Sequence, residues 1–297
     1  IIICEFMDAP AVASLAQSFD IRYEPELVDD RDALLTAVRP ADALIVRNRT
    51  QVDAALLAAA PRLRVVGRLG VGLDNIDIAA CAARDIRVIP ATGANALAVA
   101  EYVMATAMLL LRGAYRSSAE VAAGQWPRAR LSEGREIHGK CLGLVGFGGI
   151  GQLTAQIARA LGMHVVGHDP AFAASAPLWT EHGVQSLPLD ALLADADVVS
   201  LHVPLVESTR NLLDARRLAI MKPHAVLINT SRGGIVDEAA LAGALRSHHL
   251  AGAALDVFSA EPLSAGSPLA EAPNVLLTPH VAGVTRTITT PCAGTVV

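Results

Sequence analysis

The chain has 297 residues, of which 53% are hydrophobic and 3% aromatic. This length exceeds what one core usually serves, and cores of Ala, Val, Leu and Ile are typical of α/β proteins, so we expect two α/β domains. The net charge of −5, with no run of Lys or Arg, disfavours a nucleic-acid partner. A membrane partner is disfavoured too, because the longest apolar segment, residues 102–111, is shorter than the roughly 18 residues of a span.

The cysteines are dispersed, with neither a C-x-x-C pair nor the spacing of a metal site. They are Cys4, Cys81, Cys141 and Cys292. We therefore expect packing residues in the reducing cytoplasm, and no metal. The opening residues, IIICEF, lack the basic segment and cleavage site of a signal peptide and predict a strand.

The first ninety residues alternate short β-branched runs with Ala- and Leu-rich helical patterns. The runs are 1–6, 21–24, 43–46, 64–68 and 86–89. This alternation predicts a parallel sheet with helices on both faces. We assign a first domain to residues 1–94.

Two turns of this first domain carry groups suited to an anionic substrate. The third run is followed by Arg47, Asn48 and Arg49, and the fourth by Leu69, Gly70, Val71 and Gly72. Backbone N–H groups of a glycine loop can cradle a carboxylate, and an arginine can meet a second anionic group.

A long helical pattern, 94–112, leads into a second series of strands and helices. Its strand-like runs are 141–145, 164–167, 198–202, 225–229, 251–256 and 275–278. Six runs in this order fit the doubly wound sheet that binds dinucleotides. We assign the second domain to residues 95–283.

A glycine turn opens this second domain. The pattern G-x-G-x-x-G occupies Gly146, Gly148 and Gly151, with Gly149 and Ile150 between them. A strand enters the turn and a helical pattern leaves it, as in the Rossmann fold. The free N–H groups and dipole at such a helix start hold a pyrophosphate.

An acid follows the next strand. Asp169 lies 18 residues after Gly151, where a carboxylate accepts hydrogen bonds from the adenosine ribose and repels a 2′-phosphate. The sequence therefore predicts NAD rather than NADP as the cofactor.

Three later stretches carry a family resemblance: NTSRGGIVD at 229–237, DVFSAEP at 256–262 and TPHVAG at 278–283. Together with the glycine turn, they resemble the D-isomer-specific 2-hydroxyacid dehydrogenase family, which includes phosphoglycerate dehydrogenases and hydroxypyruvate and glyoxylate reductases. The resemblance covers roughly residues 40–285. It implies a Rossmann NAD-binding domain and a flavodoxin-like substrate domain, with a cleft between them.

The resemblance also implies an active site formed by Arg232, Glu261 and His280. Chemistry supports these roles independently, because reducing a 2-keto acid needs a hydride for the carbonyl carbon and a proton for its oxygen. Imidazole suits the proton donor, an adjacent carboxylate fixes its tautomer, and a guanidinium holds the substrate carboxylate.

Further residues are assigned by the same resemblance. Asn95, at the start of the long helix, is expected to face the substrate. The remaining cofactor contacts are expected from His202, Pro204, Thr209, Thr230, Ser231, Asp256 and Gly283. In the family, the acid corresponding to Asp256 reaches the nicotinamide amide.

Assembly and the end of the chain complete the expectations. The resemblance implies a homodimer formed through residues 95–139. The chain departs from the family after His280, because residues 284–297 are β-branched and interrupted by proline instead of helical. We expect this tail to complete the first domain.

The substrate is predicted to be a small 2-hydroxy or 2-keto acid, with 3-phosphoglycerate, hydroxypyruvate, glyoxylate and a sulfonated lactate left open. An alternative is an NAD-sensing binding protein or corepressor of the same fold without turnover. A formate dehydrogenase is disfavoured, since that reaction needs no proton donor and that family normally has glutamine where Glu261 stands.

Replacing Asp169 tests the predicted cofactor preference. Asp169→Ala removes the charge that repels a 2′-phosphate, so the kcat/KM for NADP(H) should improve relative to that for NAD(H). Steady-state kinetics with both cofactors measures this ratio, and an unchanged ratio contradicts the assignment.

Overall fold

The computed structural model describes residues 1–285 and divides into two compact units. The first contains Ile1–Asn95, with which Gly283 groups, and the second is Ala96–Ala282. Most of the tail expected to complete the first domain, residues 286–297 with Cys292, lies outside the described residues.

The first unit is built on a five-stranded parallel sheet in the order β2-β1-β3-β4-β5. Its strands are β1 Ile2–Ile3, β2 Arg22–Tyr23, β3 Ala43–Val46, β4 Val65–Arg68 and β5 Arg87–Pro90. Its helices are α1 Ala9–Leu15, α2 Arg31–Ala37, α3 Ala54–Ala59 and α4 Ile78–Ala82, with a 3₁₀ turn at Pro25–Asp29. Asp30, Asp53 and Asp77 cap the last three helices by accepting a backbone N–H three residues later, a strong start signal.

The second unit is built on a seven-stranded parallel sheet in the order β12-β11-β10-β9-β6-β7-β8. Its strands are β6 Cys141–Val145, β7 His164–His168, β8 Gln185–Ser186, β9 Val198–Leu201, β10 Val226–Asn229, β11 Gly252–Leu255 and β12 Val275–Leu277. The sequence predicted six of these. β8 has only two polar residues at the sheet edge, so it carries no apolar run to reveal it.

Eight helices are described in this second unit. They are α5 Ala96–Arg112, α6 Ser118–Ala122, α7 Arg128–Leu131, α8 Gly149–Ala160, α9 Pro177–Glu181, α10 Leu189–Asp195, α11 Ala215–Ile220 and α12 Glu238–Arg246, with 3₁₀ turns at Ala114–Ser117 and Glu207–Thr209. Helix α5 packs on α8 and β10. Phe147 stacks on Trp179, their ring centroids 4.6 Å apart, and both side chains are buried.

The strand order locates the place where a ligand is expected. From β6 the chain runs outward to β7 and β8, then returns to β9 on the other side of β6. The order reverses between β6 and β9, and open α/β sheets bind ligands outside the carboxyl ends of the strands at such a reversal.

Within the described residues, no single helix is long and apolar enough to cross a membrane. One bent pair, Ala96–Arg112 with Ala114–Ala122, meets the length and composition test only when its two helices are combined across a 67° bend.

Candidate active site

Two glycines of the turn after β6 are fixed by close backbone contacts. Gly146 has φ 97°, and a Cβ there would overlap the carbonyl oxygen of His202. A Cβ on Gly151 would lie 2.5 Å from the carbonyl oxygen of Gly146. Any side chain at either position would push β9 or α8 away from the turn.

The other two glycines border open space. No atom of the described residues lies within 4 Å of a Cβ placed on Gly148 or Gly149. Gly148 is also the N-cap of α8, whose first N–H groups receive no side-chain cap from the described part of the chain. Uncapped N–H groups beside a side-chain-free surface fit a dinucleotide pyrophosphate.

Asp169 ties this turn to the end of β7. Its Oδ2 accepts the N–H of Phe147 at 2.8 Å and its Oδ1 accepts the N–H of Ala171 at 2.9 Å. Because a carboxylate oxygen can accept two hydrogen bonds, each oxygen keeps capacity for a ribose hydroxyl. Because Asp169 also positions the turn, Asp169→Ala would lower the overall rate even if the residue did not bind the ribose. The ratio of kcat/KM for the two cofactors therefore tests the ribose contact better than the rate does.

His202 follows β9 as a neutral side chain. Its Nε2 lies 3.0 Å from Oγ of Ser200, and burial lowers its pKa to about 4. Nearby, the Thr209 hydroxyl donates to the carbonyl of Pro204 at 2.6 Å and accepts the N–H of Val206 at 2.8 Å. Thr209 therefore closes its own turn.

The loop after β10 is organised by Asn229, which is buried. Its amide accepts the Ser231 N–H at 3.1 Å and donates to the Arg232 carbonyl at 2.9 Å. The Ser231 hydroxyl donates to the carbonyl of Leu201. Oγ1 of Thr230 is buried and finds no hydrogen-bond partner among residues 1–285. An orphaned hydroxyl at this sheet edge suits a polar cofactor group, because unpaired buried polar atoms are rare.

Gly233 brings this loop against the one after β11. A Cβ on Gly233 would overlap the carbonyl of Phe258, so only glycine permits the approach. The Phe258 N–H in turn donates to Oε1 of Glu261 at 3.1 Å. Arg232 and Glu261 thus project from loops that touch.

Glu261 and His280, two of the three predicted catalytic residues, are in direct contact. Oε2 of Glu261 lies 2.9 Å from Nδ1 of His280, and both side chains are about one-third exposed. Since a carboxylate only accepts, Nδ1 carries the proton. Nε2 then remains for an exchangeable proton.

Asp256 holds the turn that carries His280. Its carboxylate accepts the N–H groups of Val281 and Ala282 at 2.9 and 2.7 Å and the Thr278 hydroxyl at 2.5 Å, and its own carbonyl accepts the His280 N–H at 2.9 Å. Sequence reasoning gave Asp256 a nicotinamide contact and missed this structural role.

In the first unit, Glu5 organises the predicted Arg47 loop. This buried carboxylate accepts the N–H groups of Arg47, Arg49 and Thr50 at 2.8, 3.2 and 3.0 Å. The two arginines differ: Arg49 pairs with Asp29, whereas the Arg47 guanidinium lies 5.9 Å from the centre of the Phe6 ring. Asn48, between them, is exposed.

The Gly70 loop encloses an arginine that sequence reasoning missed. Arg68 ends β4, is 8% exposed and donates to the carbonyl of Leu69 at 3.1 Å. Gly70 has φ 147°, and a Cβ there would overlap the Arg68 guanidinium. Val71 and Gly72 complete the loop. The sequence did carry a signal for this residue, because Arg68 ends an apolar strand and stands two residues before a glycine.

Asn95 and Gly283 also meet. A Cβ on Gly283 would lie 2.5 Å from Nδ2 of Asn95, and Oδ1 of Asn95 is buried without a hydrogen-bond partner in the described chain.

Among residues 1–285, no group of three or more His, Cys, Asp or Glu side chains is placed to hold a metal ion.

Comparison with known proteins decides the family. A sequence model of the D-isomer specific 2-hydroxyacid dehydrogenase NAD binding domain matches residues 104–282. The chain is 54% identical over 286 residues to an (S)-sulfolactate dehydrogenase of Chromohalobacter salexigens, covering 96% of this chain and 92% of that protein. The chain belongs to the D-isomer-specific 2-hydroxyacid dehydrogenase family.

Two further similarities agree with this assignment. A D-3-phosphoglycerate dehydrogenase of Mycobacterium bovis is 42% identical over 96% of this chain, which spans 53% of that longer protein. The crystal structure of the TT0316 protein from Thermus thermophilus superposes with a TM-score of 0.89 at 36% identity, covering 98% of this chain and 92% of that one.

The protein is an NAD-dependent 2-hydroxyacid dehydrogenase. The predicted family, the α/β fold class with two parallel sheets, and NAD as the cofactor are confirmed. The roles predicted for individual residues of the dehydrogenase stay predictions.

Gly148 gives a direct test of the cofactor cradle. A methyl group at this position meets no described protein atom, but it would occupy the space assigned to the pyrophosphate. Gly148→Ala should leave the melting temperature unchanged and weaken NADH binding by about 10-fold or more, the equivalent of one lost charged hydrogen bond.

Fluorescence titration with NADH measures this affinity. Gly243→Ala is the matched control, because Gly243 lies in α12 with similarly open surroundings. Equal NADH affinity in the two variants would place the pyrophosphate elsewhere.

Proposed function

We propose that this dehydrogenase interconverts sulfolactate and its 2-keto acid, 3-sulfopyruvate, using NAD. The contact that carries the proposal is the 2.9 Å pair between Glu261 and His280, on the sheet edge that also bears the glycine turn. The choice of substrate rests on 54% identity to a sulfolactate dehydrogenase over nearly the full length of both chains. 3-Phosphoglycerate is the second candidate, supported by 42% identity.

The proton path runs through His280. In the oxidation direction, Nε2 would take the proton of the substrate hydroxyl, and NAD held at the glycine turn would supply the hydride acceptor for the carbon that bears this hydroxyl. Glu261 accepts the hydrogen bond of Nδ1, which fixes the tautomer and places a carboxylate beside the charge that forms on the ring. In the reverse direction the same nitrogen returns the proton to the keto oxygen.

Arg232 orients the substrate. Its planar guanidinium is suited to pair with the substrate carboxylate through two parallel hydrogen bonds and to polarise the adjacent carbonyl. The Gly70 loop, with Leu69, Val71 and Gly72, carries backbone N–H groups that suit a carboxylate, and the amide nitrogen of Asn95 is a further donor.

A sulfonate or phosphate at C3 needs a cation of its own. We assign this group to Arg47, assisted by Arg68. Arg49 is a weaker candidate, because it is exposed and water screens its charge more than that of the half-buried Arg47, and Asn48 supplies polar surroundings. Burial of Arg68 makes its charge strong locally, since water screens it little.

The cofactor is assigned to the glycine turn and the ends of the neighbouring strands. Gly146, Gly148, Gly149, Ile150 and Gly151 form the pyrophosphate cradle. Asp169 takes the ribose. His202, Pro204 and Thr209 border the adenosine side, and Thr230, Ser231, Asp256 and Gly283 border the nicotinamide. The orphaned Thr230 hydroxyl supports this last assignment most directly.

Assembly and location are also proposed. Residues 95–139 would form a homodimer interface, a proposal that the exposure of Tyr115 and Trp126, 68% and 78%, supports because aromatic side chains are enriched at protein interfaces. The three described cysteines are free, which suits the reducing cytoplasm. Small-molecule acids, not nucleic acids or membranes, are the proposed partners.

His280→Ala removes the proposed proton donor. We expect kcat to fall by roughly 10²–10⁴-fold, the usual contribution of a general acid, with NADH affinity unchanged because the glycine turn is untouched. Single-turnover and steady-state kinetics measure the loss. His164→Ala, an exposed histidine at the start of β7, is the control, and full activity in His280→Ala would overturn the assignment.

A substrate panel tests the activity itself. NADH absorbance is followed with 3-sulfopyruvate, 3-phosphohydroxypyruvate, hydroxypyruvate and glyoxylate, and 3-sulfopyruvate should give the highest kcat/KM. Arg47→Ala should raise its KM about 10-fold or more, because a charged hydrogen bond to the sulfonate is lost.

Arg49→Ala is the matched variant, and its effect on KM should be smaller. A preference for the phosphorylated substrate would move the assignment to the second candidate. Tight NADH binding without turnover of any 2-keto acid would instead indicate an NAD-sensing protein.

A further inference from the structure

A chain of hydrogen bonds connects helix α5 to the turn that carries His280. The hydroxyl of Tyr102, in the second turn of α5, lies 2.6 Å from Oγ1 of Thr278. Oγ1 of Thr278 lies 2.5 Å from Oδ1 of Asp256. Tyr102 and Thr278 are 176 residues apart in sequence, so this link is a tertiary contact.

The direction of these bonds follows from the chemistry of the groups. A carboxylate only accepts, so the Thr278 hydroxyl donates its proton to Asp256. Tyr102 must therefore be the donor to Thr278. Burial raises the pKa of Tyr102, which keeps that phenolic proton in place. The two hydroxyls polarise one another toward the carboxylate, and such chains strengthen each member.

Asp256 accepts hydrogen bonds from the backbone N–H groups of His280 and of the two residues that follow it. Its carbonyl accepts the N–H of His280, and its carboxylate accepts those of Val281 and Ala282. His280 itself has φ 57°, a left-handed conformation that residues other than glycine adopt infrequently. The conformation persists because the surrounding hydrogen bonds determine it.

Helix α5 is a rigid anchor for this network. It has 17 residues, and the neighbours Val99 and Val103 are buried on either side of Tyr102. The ring of Tyr102 is itself half-buried. Phenylalanine would keep the packing of the ring and lose only the hydroxyl.

We propose that Tyr102 is a positioning residue for the reaction, acting through Thr278 and Asp256 to hold the imidazole of His280 on Glu261. This inference rests on the proposed function, because it takes His280 as the proton donor. It adds a residue outside the three motifs that carry the family resemblance.

Tyr102→Phe is the test. The variant should lower kcat for 3-sulfopyruvate reduction about 10-fold, the rate equivalent of one buried hydrogen bond. The KM for the keto acid and the affinity for NADH should stay within about twofold, because neither Arg232 nor the glycine turn is touched. Hydrogen exchange of the Val281 and Ala282 amides should accelerate.

Two control variants separate positioning from general destabilisation. Tyr23→Phe makes the same chemical change in the first unit, where the hydroxyl bonds to the backbone of Met7, and should leave the amide exchange of the His280 turn unchanged. Thr106→Val removes a hydroxyl one turn along α5 that bonds only to carbonyls of its own helix, and should leave the exchange of the His280 turn unchanged.

A double variant tests the route through Thr278. If Tyr102 acts through that hydroxyl, Tyr102→Phe combined with Thr278→Val should be no slower than Thr278→Val alone. Additive losses in kcat would overturn the route. Wild-type kcat in Tyr102→Phe, or unchanged amide exchange, would overturn the positioning role.

Failure of the inference is distinguishable from failure of the proposed function. Amide exchange is measured on the protein without substrate and needs no turnover. If wild-type protein reduces none of the keto acids, the proposed function fails while the exchange experiment still decides whether Tyr102 holds the turn. If His280→Ala is inactive and Tyr102→Phe is normal in both measurements, only the inference fails.

Discussion

The buried carboxylate of Asp256 is the constraint on which the arrangement around His280 depends. It is 1% exposed and accepts three hydrogen bonds from the turn that follows β12. An ionised group in this position is tolerable only because its acceptor sites are largely used. The same bonds select the left-handed backbone of His280 and leave its ring beside Glu261. The position of the proposed acid, His280, is thus set by the hydrogen bonds between Asp256 and the backbone around it.

Glycine performs the complementary task on the cofactor side. Gly146 and Gly151 allow backbone to lie against backbone, whereas Gly148 and Gly149 leave a surface with no described protein atom above it. These roles use one residue type for opposite physical reasons, close packing in one case and open space in the other. The turn therefore has two glycines fixed by packing and two that border open space. This arrangement suits the pyrophosphate that is proposed to bind there.

Much of the fold was predictable because strands and helices leave local traces. Runs such as 43–46 and 141–145 carry continuous β-branched and apolar residues, and the structure gives Ala43–Val46 and Cys141–Val145 as strands. The short edge strand β8 leaves no such trace. For the site, the Glu261–His280 contact followed from a motif resemblance. The supporting partners did not, because Glu5 meets its loop across 42 to 45 residues and Tyr102 meets Thr278 across 176. Such pairings are set by the three-dimensional fold and have no local period.

The overlap that any Cβ on Gly233 would have with the Phe258 carbonyl limits how an enzyme of this design can diversify. The separation between the loops of Arg232 and Glu261 depends on Gly233 having no Cβ. Substitution at Gly233 therefore cannot adjust this separation in small steps. A change in substrate range would then have to arise in loops whose side chains can vary in length and charge, such as that of Arg47, the residue proposed to meet the sulfonate or phosphate.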